Sequence, residues 1–122
     1  MRVFKTKVFR RFQRQEGLTD AALAEAVLRA EDGLVDADLG RRLIKQRVAR
    51  QGRGRSGGYR TVIAYRVGAR AVFIYGFAKN AQANVSTSDL KELAATGGLL
   101  LGLDEDAIDT LIIEGELWEI TT

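Results

Sequence analysis

The feature that most constrains the fold of this chain is a run of almost entirely apolar residues at positions 71–77. Such a run is typical of a strand that is buried on both faces of a sheet. The segment before it, residues 59–67, alternates between two sets of side chains as a strand does. Gly68 and Ala69 between the two segments suit a two-residue hairpin turn with glycine first. The sequence therefore predicts a central antiparallel hairpin around which the other elements pack.

Two helices are predicted before this hairpin. Over residues 6–16, apolar side chains stand at helical spacing at Val8, Phe9 and Phe12. Thr19 is a suitable N-cap for a second helix. The buried stripe of that helix is predicted to carry Leu23, Val27, Ala30 and Leu34.

The remaining segments are shorter. Before the central hairpin, the sequence predicts a short edge strand at residues 2–5, a half-exposed strand at 43–49 and a mobile glycine-rich loop at 52–58. After it, Asp104 caps one of two further predicted helices, and residues 116–120 form a short terminal strand. The whole is one α+β domain over residues 1–122: two N-terminal helices, an antiparallel meander and helices that return over it.

The composition excludes several kinds of chemistry. The 122 residues include no cysteine and no histidine, so disulfides, a thiolate nucleophile, a Ser-His-Asp triad and Cys/His metal sites are all impossible. Any acid–base chemistry must use Lys, Arg, Tyr, Asp or Glu, and we expect neither a metal nor a cofactor. No apolar run is long enough to span a membrane and no secretory signal is visible, so a cytoplasmic location is expected.

The charges are separated along the chain. Residues 1–79 contain 18 Lys or Arg against 7 Asp or Glu, whereas residues 80–122 contain 1 against 9. Eight cations and no acid fall within residues 41–60. This clustering is the pattern expected of a protein that binds a phosphate backbone. The alternative is a basic surface that serves only solubility.

A dinucleotide-binding fingerprint is matched by chance at Gly52-x-Gly54-x-x-Gly57. That fingerprint requires a following helix, whose N-terminal amides meet the pyrophosphate, and an acidic residue about 20 positions later. Here a strand is predicted to follow, and residues 70–80 contain no acid. We therefore reject this interpretation.

A better candidate site is spread over three predicted strands. Lys45 and Arg47 are two residues apart on one strand and so share a face. Arg60 opens the next strand and Lys79 closes the one after it, so the four can converge into a cationic cleft. A lysine that other cations crowd can lose its proton readily enough to act as a general base toward a 2′-hydroxyl, and arginine can stabilise a pentacovalent phosphate.

These residues also carry a family resemblance. Lys45-x-Arg47, the segment Gly-Tyr-Arg-Thr-Val-Ile around Arg60, and Ile-Tyr-Gly-Phe-Ala-Lys-Asn ending at Asn80 resemble the RelE/ParE superfamily of toxin–antitoxin toxins, most closely its HigB-like branch. The resemblance covers about residues 2–95. It implies a helical hairpin packed on a twisted antiparallel sheet, and an mRNA interferase that cleaves mRNA on the ribosome without metal, by 2′-hydroxyl attack. It also implies a cognate antitoxin, expected to be a small helix-turn-helix protein.

The resemblance assigns roles to particular positions. Its implied catalytic residues are Lys45 as general base, Arg47, Arg60 and Lys79. The expected RNA-binding residues are Arg50, Arg53, Arg55, Tyr59 and Asn80. Asn80 stands where RelE has a catalytic arginine, and RelE's nearby tyrosine has no match in residues 81–89. Tyr59 or Tyr75 can substitute for it, or can equally be packed in the core.

Two other functions remain open from the sequence. The chain can be an RNA- or ribosome-binding module without catalysis, or a ParE-like poison of a protein target. Residues 96–122 go beyond the resemblance and form an acidic C-terminal extension. Its carboxylates are either a solvated helix face or a segment that folds near the basic cleft and restrains access of RNA.

Overall fold

The computed structural model of the protein describes residues 1–50, 54–78 and 84–121, with the backbone alone at Arg50 and residues 54–57. Six strands and four helices follow one another in these ranges: β1 (Arg2–Thr6), α1 (Lys7–Glu16), α2 (Asp20–Glu31), β2 (Ala37–Gly40), β3 (Leu43–Arg50), β4 (Gly54–Arg66), β5 (Arg70–Ala78), α3 (Thr87–Gly102), α4 (Glu105–Ile113) and β6 (Leu117–Ile120). None of the helices in these ranges has the length and apolar character needed to cross a membrane.

The strands form one sheet in the order β2-β3-β4-β5-β1-β6. Strands β2 to β5 pair antiparallel with their sequence neighbours, as the meander prediction required. The prediction that residues 2–5 form an edge strand is wrong, because β1 lies inside the sheet, parallel to β5 and antiparallel to β6. The fold is thus α+β with a mixed sheet. Strand β1 is therefore an interior strand of the sheet, flanked by β5 and β6, and not an edge strand.

Helices α1 and α2 cover one face of the sheet. Thr6 and Thr19 cap them by accepting hydrogen bonds from backbone N–H groups three residues later, and Gly17 ends α1 in the left-handed region. Phe9, Leu23, Val27 and Ala30 pack on Ile63 and Phe73 of the sheet to form the first core cluster. Two further residues predicted to be buried are instead exposed, Val8 at 61% and Leu34 at 62%.

Helix α1 lies very close to the central strand β5. Phe12 packs over Gly76, and a Cβ atom on Gly76 would collide with the Phe12 ring. Beneath the same helix the ammonium group of Lys5 is almost fully buried, and it donates to Gln13 at 2.7 Å and to Asp20 at 2.8 Å. This buried polar network joins β1 to the turn between the two helices, so the helical hairpin is fixed in position on the sheet.

Helices α3 and α4 cover the opposite face and form a second core cluster with Val62, Ala64 and Val72. Gly97 allows α3 to approach the sheet, since a Cβ there would lie 3.0 Å from that of Ala64 and 3.1 Å from Leu43 Cδ2. The alternation predicted for residues 59–67 is confirmed: even-numbered residues such as Val62 face α3, whereas odd-numbered ones face α1 and α2. The sheet is therefore buried on both faces at its centre.

A buried arginine holds the two C-terminal helices together. Arg70, 7% exposed, donates to the backbone carbonyls of Leu100 at 2.8 Å and Leu103 at 2.7 Å, and its guanidinium also pairs with Glu105 at 2.9 Å. These carbonyls lie at the C-terminal end of α3, where they have no partner within the helix. A single side chain, Arg70, thus both caps the C-terminal end of α3 and pairs with the first turn of α4.

The predicted loop at residues 52–58 is shorter than expected. Strand β4 begins at Gly54, and Arg50 of β3 pairs with that glycine across a register shift. Residues 54–58 therefore belong to the sheet, while residues 51–53 lie outside the described part of the chain. The many glycines of this segment predicted a loop, but β4 extends through residues 54–58 and pairs there with β3.

Candidate functional site

The basic residues predicted to share a face do lie together, in two rows across the sheet. In the first row Lys45 on β3 stands opposite Val62 on β4, which stands opposite Tyr75 on β5. In the second row Arg47 stands opposite Arg60. We call Lys45, Arg47 and Arg60 the basic face. It lies on the α3 side of the sheet, where Arg47 and Arg60 are cross-strand neighbours about 5 Å apart and Lys45 lies two residues from Arg47, about 7 Å along β3.

The orientation of β3 is fixed by the residues between these cations. Gln46 is fully buried on the α2 side, where its amide donates to the carbonyls of Ala26 and Leu34 and accepts from the N–H of Asp36. Because side chains alternate along a strand, the burial of Gln46 directs Lys45 and Arg47 to the other face. A buried amide with three partners holds this register firmly.

Arg60 has an unusual environment. Its Nη1 atom is buried and has no hydrogen-bond partner in the described ranges. Its neighbour across the strand pair is Arg47, which carries the same charge. A buried charged donor without a partner costs free energy. An anion bound at the basic face would supply the missing acceptor and neutralise the pair.

Arg47 is held by a carboxylate that the sequence analysis did not consider. Asp36 accepts from the Arg47 backbone N–H at 2.7 Å and from its guanidinium at 3.1 Å, and Arg29 lies 3.4 Å away. Partial burial raises the pKa of Asp36, but the hydrogen bonds and charge of Arg47 outweigh it, and the net effect is a pKa below the ordinary value. Asp36 thus holds Arg47 in position and partly neutralises the positive charge of its guanidinium group.

Lys45 reaches toward the segment that precedes α3. Its ammonium group lies 3.4 Å from the side-chain oxygen of Asn84, a long hydrogen bond at an exposed position. Asn84 was also missed, because nothing in the sequence indicates that a residue 39 positions away returns to β3. This contact places the ammonium group above the sheet, facing solvent.

The two tyrosines left open by the sequence differ in position. Tyr59 is 3% exposed and its ring packs edge-on against Phe12 at 5.7 Å, in the core beneath α1. This burial favours the alternative that Tyr59 is packed in the core, because an odd-numbered position of β4 faces away from the basic face, and its RNA-binding role stays a prediction. Tyr75 lies on the basic face in the row of Lys45, half-exposed, with its ring 6.0 Å from that of Phe77.

Other predicted site residues are not located with their side chains. Arg53, Lys79 and Asn80 lie outside the described residues. The backbones of Arg50 and Arg55 belong to β3 and β4, next to the end of the strand pair beyond Arg47 and Arg60. Their predicted roles stay predictions.

The acidic C-terminal segment lies elsewhere. Glu105, Asp109 and Glu119 all pair with Arg2 on β1. The hydrogen bonds of Arg2 lower the pKa values of Glu105 and Glu119. In the described ranges these carboxylates contact no residue of the basic face, and β6 is separated from β3 by three strands. The hypothesis that this segment covers the basic cleft is therefore not supported.

The fold is thus an α+β sheet that carries three cations, Lys45, Arg47 and Arg60, together on one face. A family model of the RelE toxin of RelE/RelB toxin–antitoxin systems matches residues 1–120 of the chain. The chain therefore belongs to the RelE toxin family, and its partner class is a cognate antitoxin. A search of curated proteins found none that matches it. The family match extends through the C-terminal helices, beyond the segment in which the sequence showed the resemblance.

Proposed function

We propose that this toxin is a ribosome-dependent mRNA endoribonuclease of the HigB-like branch that works without a metal ion. The observation that carries the proposal is the buried Arg60 nitrogen without a partner in the described structure, on the same face as Lys45 and Arg47. A phosphate oxygen supplies the acceptor that this donor needs, and arginine binds phosphate through two parallel hydrogen bonds. The family of the chain makes RNA the expected source of that phosphate.

The proposed reaction uses the basic face as follows. Lys45 takes the proton from a 2′-hydroxyl, whose oxygen attacks the adjacent phosphorus. Arg60 holds the phosphate and stabilises the added charge of the pentacovalent transition state, assisted by Arg47. The bond from phosphorus to the 5′-oxygen then breaks, leaving a 2′,3′-cyclic phosphate and a 5′-hydroxyl once that oxygen gains a proton. Lys79 is proposed as a fourth catalytic cation on the family resemblance.

The proposed partners follow from this activity. They are mRNA and the ribosome in the cytoplasm, and a small helix-turn-helix antitoxin. Arg50, Arg53, Arg55 and Asn80 are retained as proposed RNA contacts. Lys45 is only half-buried, which is consistent with a need for the ribosome, since a bound RNA and ribosomal groups would have to exclude water from it.

The test is a map of mRNA 5′ ends after brief induction in cells. We expect new in-frame cuts within translated messages for the wild type, and their loss in Lys45→Ala and Arg60→Ala at equal expression. Arg66→Ala is the matched control, because Arg66 is an exposed arginine on the same strand as Arg60 but near its other end. It should cut like the wild type.

A further variant separates catalysis from binding. Lys45→Arg keeps the positive charge but cannot give up its proton, so it should bind RNA and fail to cut. If Lys45→Arg cuts normally, Lys45 is not the base. Growth arrest without new 5′ ends would instead favour the ParE-like alternative, and neither arrest nor cuts would favour an RNA-binding module without catalysis.

A further inference from the structure

A groove opens beside the basic face, between the β2–β3 hairpin and the first turns of α3. Its volume is about 460 Å³, within the usual range for small-ligand sites. The lining is mainly aliphatic with two hydroxyls and two cations: Leu39, Gly40, Arg41, Leu43, Thr87, Ser88, Leu90, Lys91 and Ala94. No carboxylate is among these residues. The groove therefore combines an apolar floor with a positive rim.

The groove is continuous with the basic face. Leu43 forms part of its floor and precedes Lys45 by two residues on the same side of β3, about 7 Å along the strand. Lys45 in turn contacts Asn84, three residues before α3 begins. A polymer held at Lys45 and Arg60 can thus place its next unit in the groove without leaving the protein surface.

The hairpin at the groove adopts a costly conformation. Arg41 and Arg42 form the two-residue turn between β2 and β3, with φ angles of 52° and 63°. A turn with positive φ at both positions favours Asn-Gly, and other residues are strained there. Both arginines are exposed and have no ion pair in the described ranges. Two unfavourable residues at an exposed tip point to a role other than stability.

We propose that this groove is a nucleotide subsite for the RNA strand that the basic face holds. The base lies on the partly exposed aliphatic side chains of Leu39 and Leu90, and Arg41 and Lys91 bind the phosphates of the nucleotide. Apolar contact with an unstacked base and cations along the backbone are the usual means of binding single-stranded RNA. The inference rests on the proposed function, because it takes the occupant to be the same RNA.

The first test fills the groove without changing its charge. Ser88→Trp places an indole in it, and Ala95→Trp on the exposed side of the same helix is the matched control. The probe is a short single-stranded RNA with an abasic site moved along it, and its affinity is measured by fluorescence anisotropy. We expect one position where loss of the base weakens wild-type binding about fivefold, equivalent to roughly 1 kcal/mol. That penalty should vanish in Ser88→Trp and persist in Ala95→Trp.

The second test removes the strained arginines. Arg41→Asn with Arg42→Gly should raise the Tm by about 3–6 °C through relief of strain. The same variant should bind RNA more weakly, with a slope of log affinity against log salt smaller by about 0.7 for each lost phosphate contact. The charge-retaining pair Arg41→Lys and Arg42→Lys should keep most of the wild-type affinity. A variant that is more stable and binds RNA as the wild type does would overturn the proposal.

The Arg60→Ala variant distinguishes the two proposals. If Arg60→Ala weakens binding and the groove variants do not, the groove proposal fails while the proposed function stands. If neither change affects binding, or the wild type shows no salt-dependent affinity for RNA, the groove proposal fails, and the proposed function is then decided by the map of mRNA 5′ ends alone. A dimer that Ser88→Trp abolishes in sedimentation, with unchanged RNA affinity, would show that the groove takes a second copy of the chain and would also overturn the inference.

Discussion

Replacing Arg70 with alanine tests how the C-terminal helices are held on the sheet. The guanidinium is buried and donates to two backbone carbonyls at the end of α3, and it also pairs with a carboxylate at the start of α4. Alanine removes all three contacts. It also leaves the two carbonyls without their donor in a place that water reaches poorly, so we expect α3 and α4 to loosen together.

The magnitude follows from these contacts. Hydrogen bonds from a charged donor contribute roughly 1.5–3 kcal/mol each, and the pair with the exposed carboxylate of Glu105 adds little because solvent screens it. Arg2 on β1 is paired in register with Arg70, so the substitution also removes the repulsion between two positive charges, and this offsets part of the lost stability. We expect the free energy of unfolding to fall by about 4 kcal/mol, which for a domain of this size lowers the Tm by roughly 15 °C.

The assay is urea unfolding followed by circular dichroism, with Arg66→Ala as control. Arg66 is an exposed arginine directly opposite Arg70 on β4, and its loss should change stability by less than about 0.5 kcal/mol. Arg70→Met fills the space without restoring the donors and should still lose more than about 2 kcal/mol. A loss below about 1 kcal/mol in Arg70→Ala would refute the reasoning, since the carbonyls would then have found other partners.

Three further changes give separate tests. Gly76→Ala should cost about 1–3 kcal/mol in thermal or urea unfolding, because its Cβ collides with the Phe12 ring, and an unchanged Tm would contradict this contact. Arg2 holds the pKa values of two carboxylate partners below their ordinary values, so their stabilisation is present at neutral pH and is lost as the pH falls below about 4. The Arg2→Gln variant should be less stable than the wild type at pH 7, and its free energy of unfolding should fall less steeply as the pH is lowered. If the two proteins lose stability in parallel with falling pH, the link between Arg2 and these carboxylates is refuted. Asp36→Asn removes the carboxylate that neutralises Arg47 and should strengthen RNA binding about threefold at low salt while lowering the Tm. Equal or weaker binding would mean that Arg47 needs Asp36 to be positioned.

Local signals in the sequence predicted the local structure well. Thr19 and Gly17 mark helix boundaries because capping and left-handed backbone depend on a few neighbouring residues. The shared face of Lys45 and Arg47 follows from the two-residue period of a strand alone. These predictions needed no knowledge of distant parts of the chain.

Most of the features that the sequence did not predict depend on contacts with distant parts of the fold, although one is local: three residues, 67–69, join β4 to β5 where a two-residue turn at Gly68 and Ala69 was predicted. Residues 2–5 have no sequence feature that distinguishes an edge strand from one inserted between β5 and β6, since β1 meets both only after the whole sheet forms. Tyr59 falls on the buried face through the register of β4, which its local composition does not reveal. Asp36 acts on Arg47 from 11 residues away, and the pairing of β2 with β3, which sets Ala37 opposite Lys45, brings them together.

The distribution of the carboxylates changes what a polyanion meets at the surface. The net charge of the whole chain is +3, a value that suggests weak attraction. Three of the acids that reduce it, Glu105, Asp109 and Glu119, pair with Arg2 near the β6 border, and four strand spacings of about 5 Å separate β6 from β3, whereas Asp36 pairs with Arg47 at the basic face itself. That separation exceeds the screening length of about 8 Å at physiological salt. The three distant carboxylates therefore reduce the local field of Lys45, Arg41 and Arg60 very little for an approaching strand of RNA, and the capture rate should follow this local field rather than the isoelectric point.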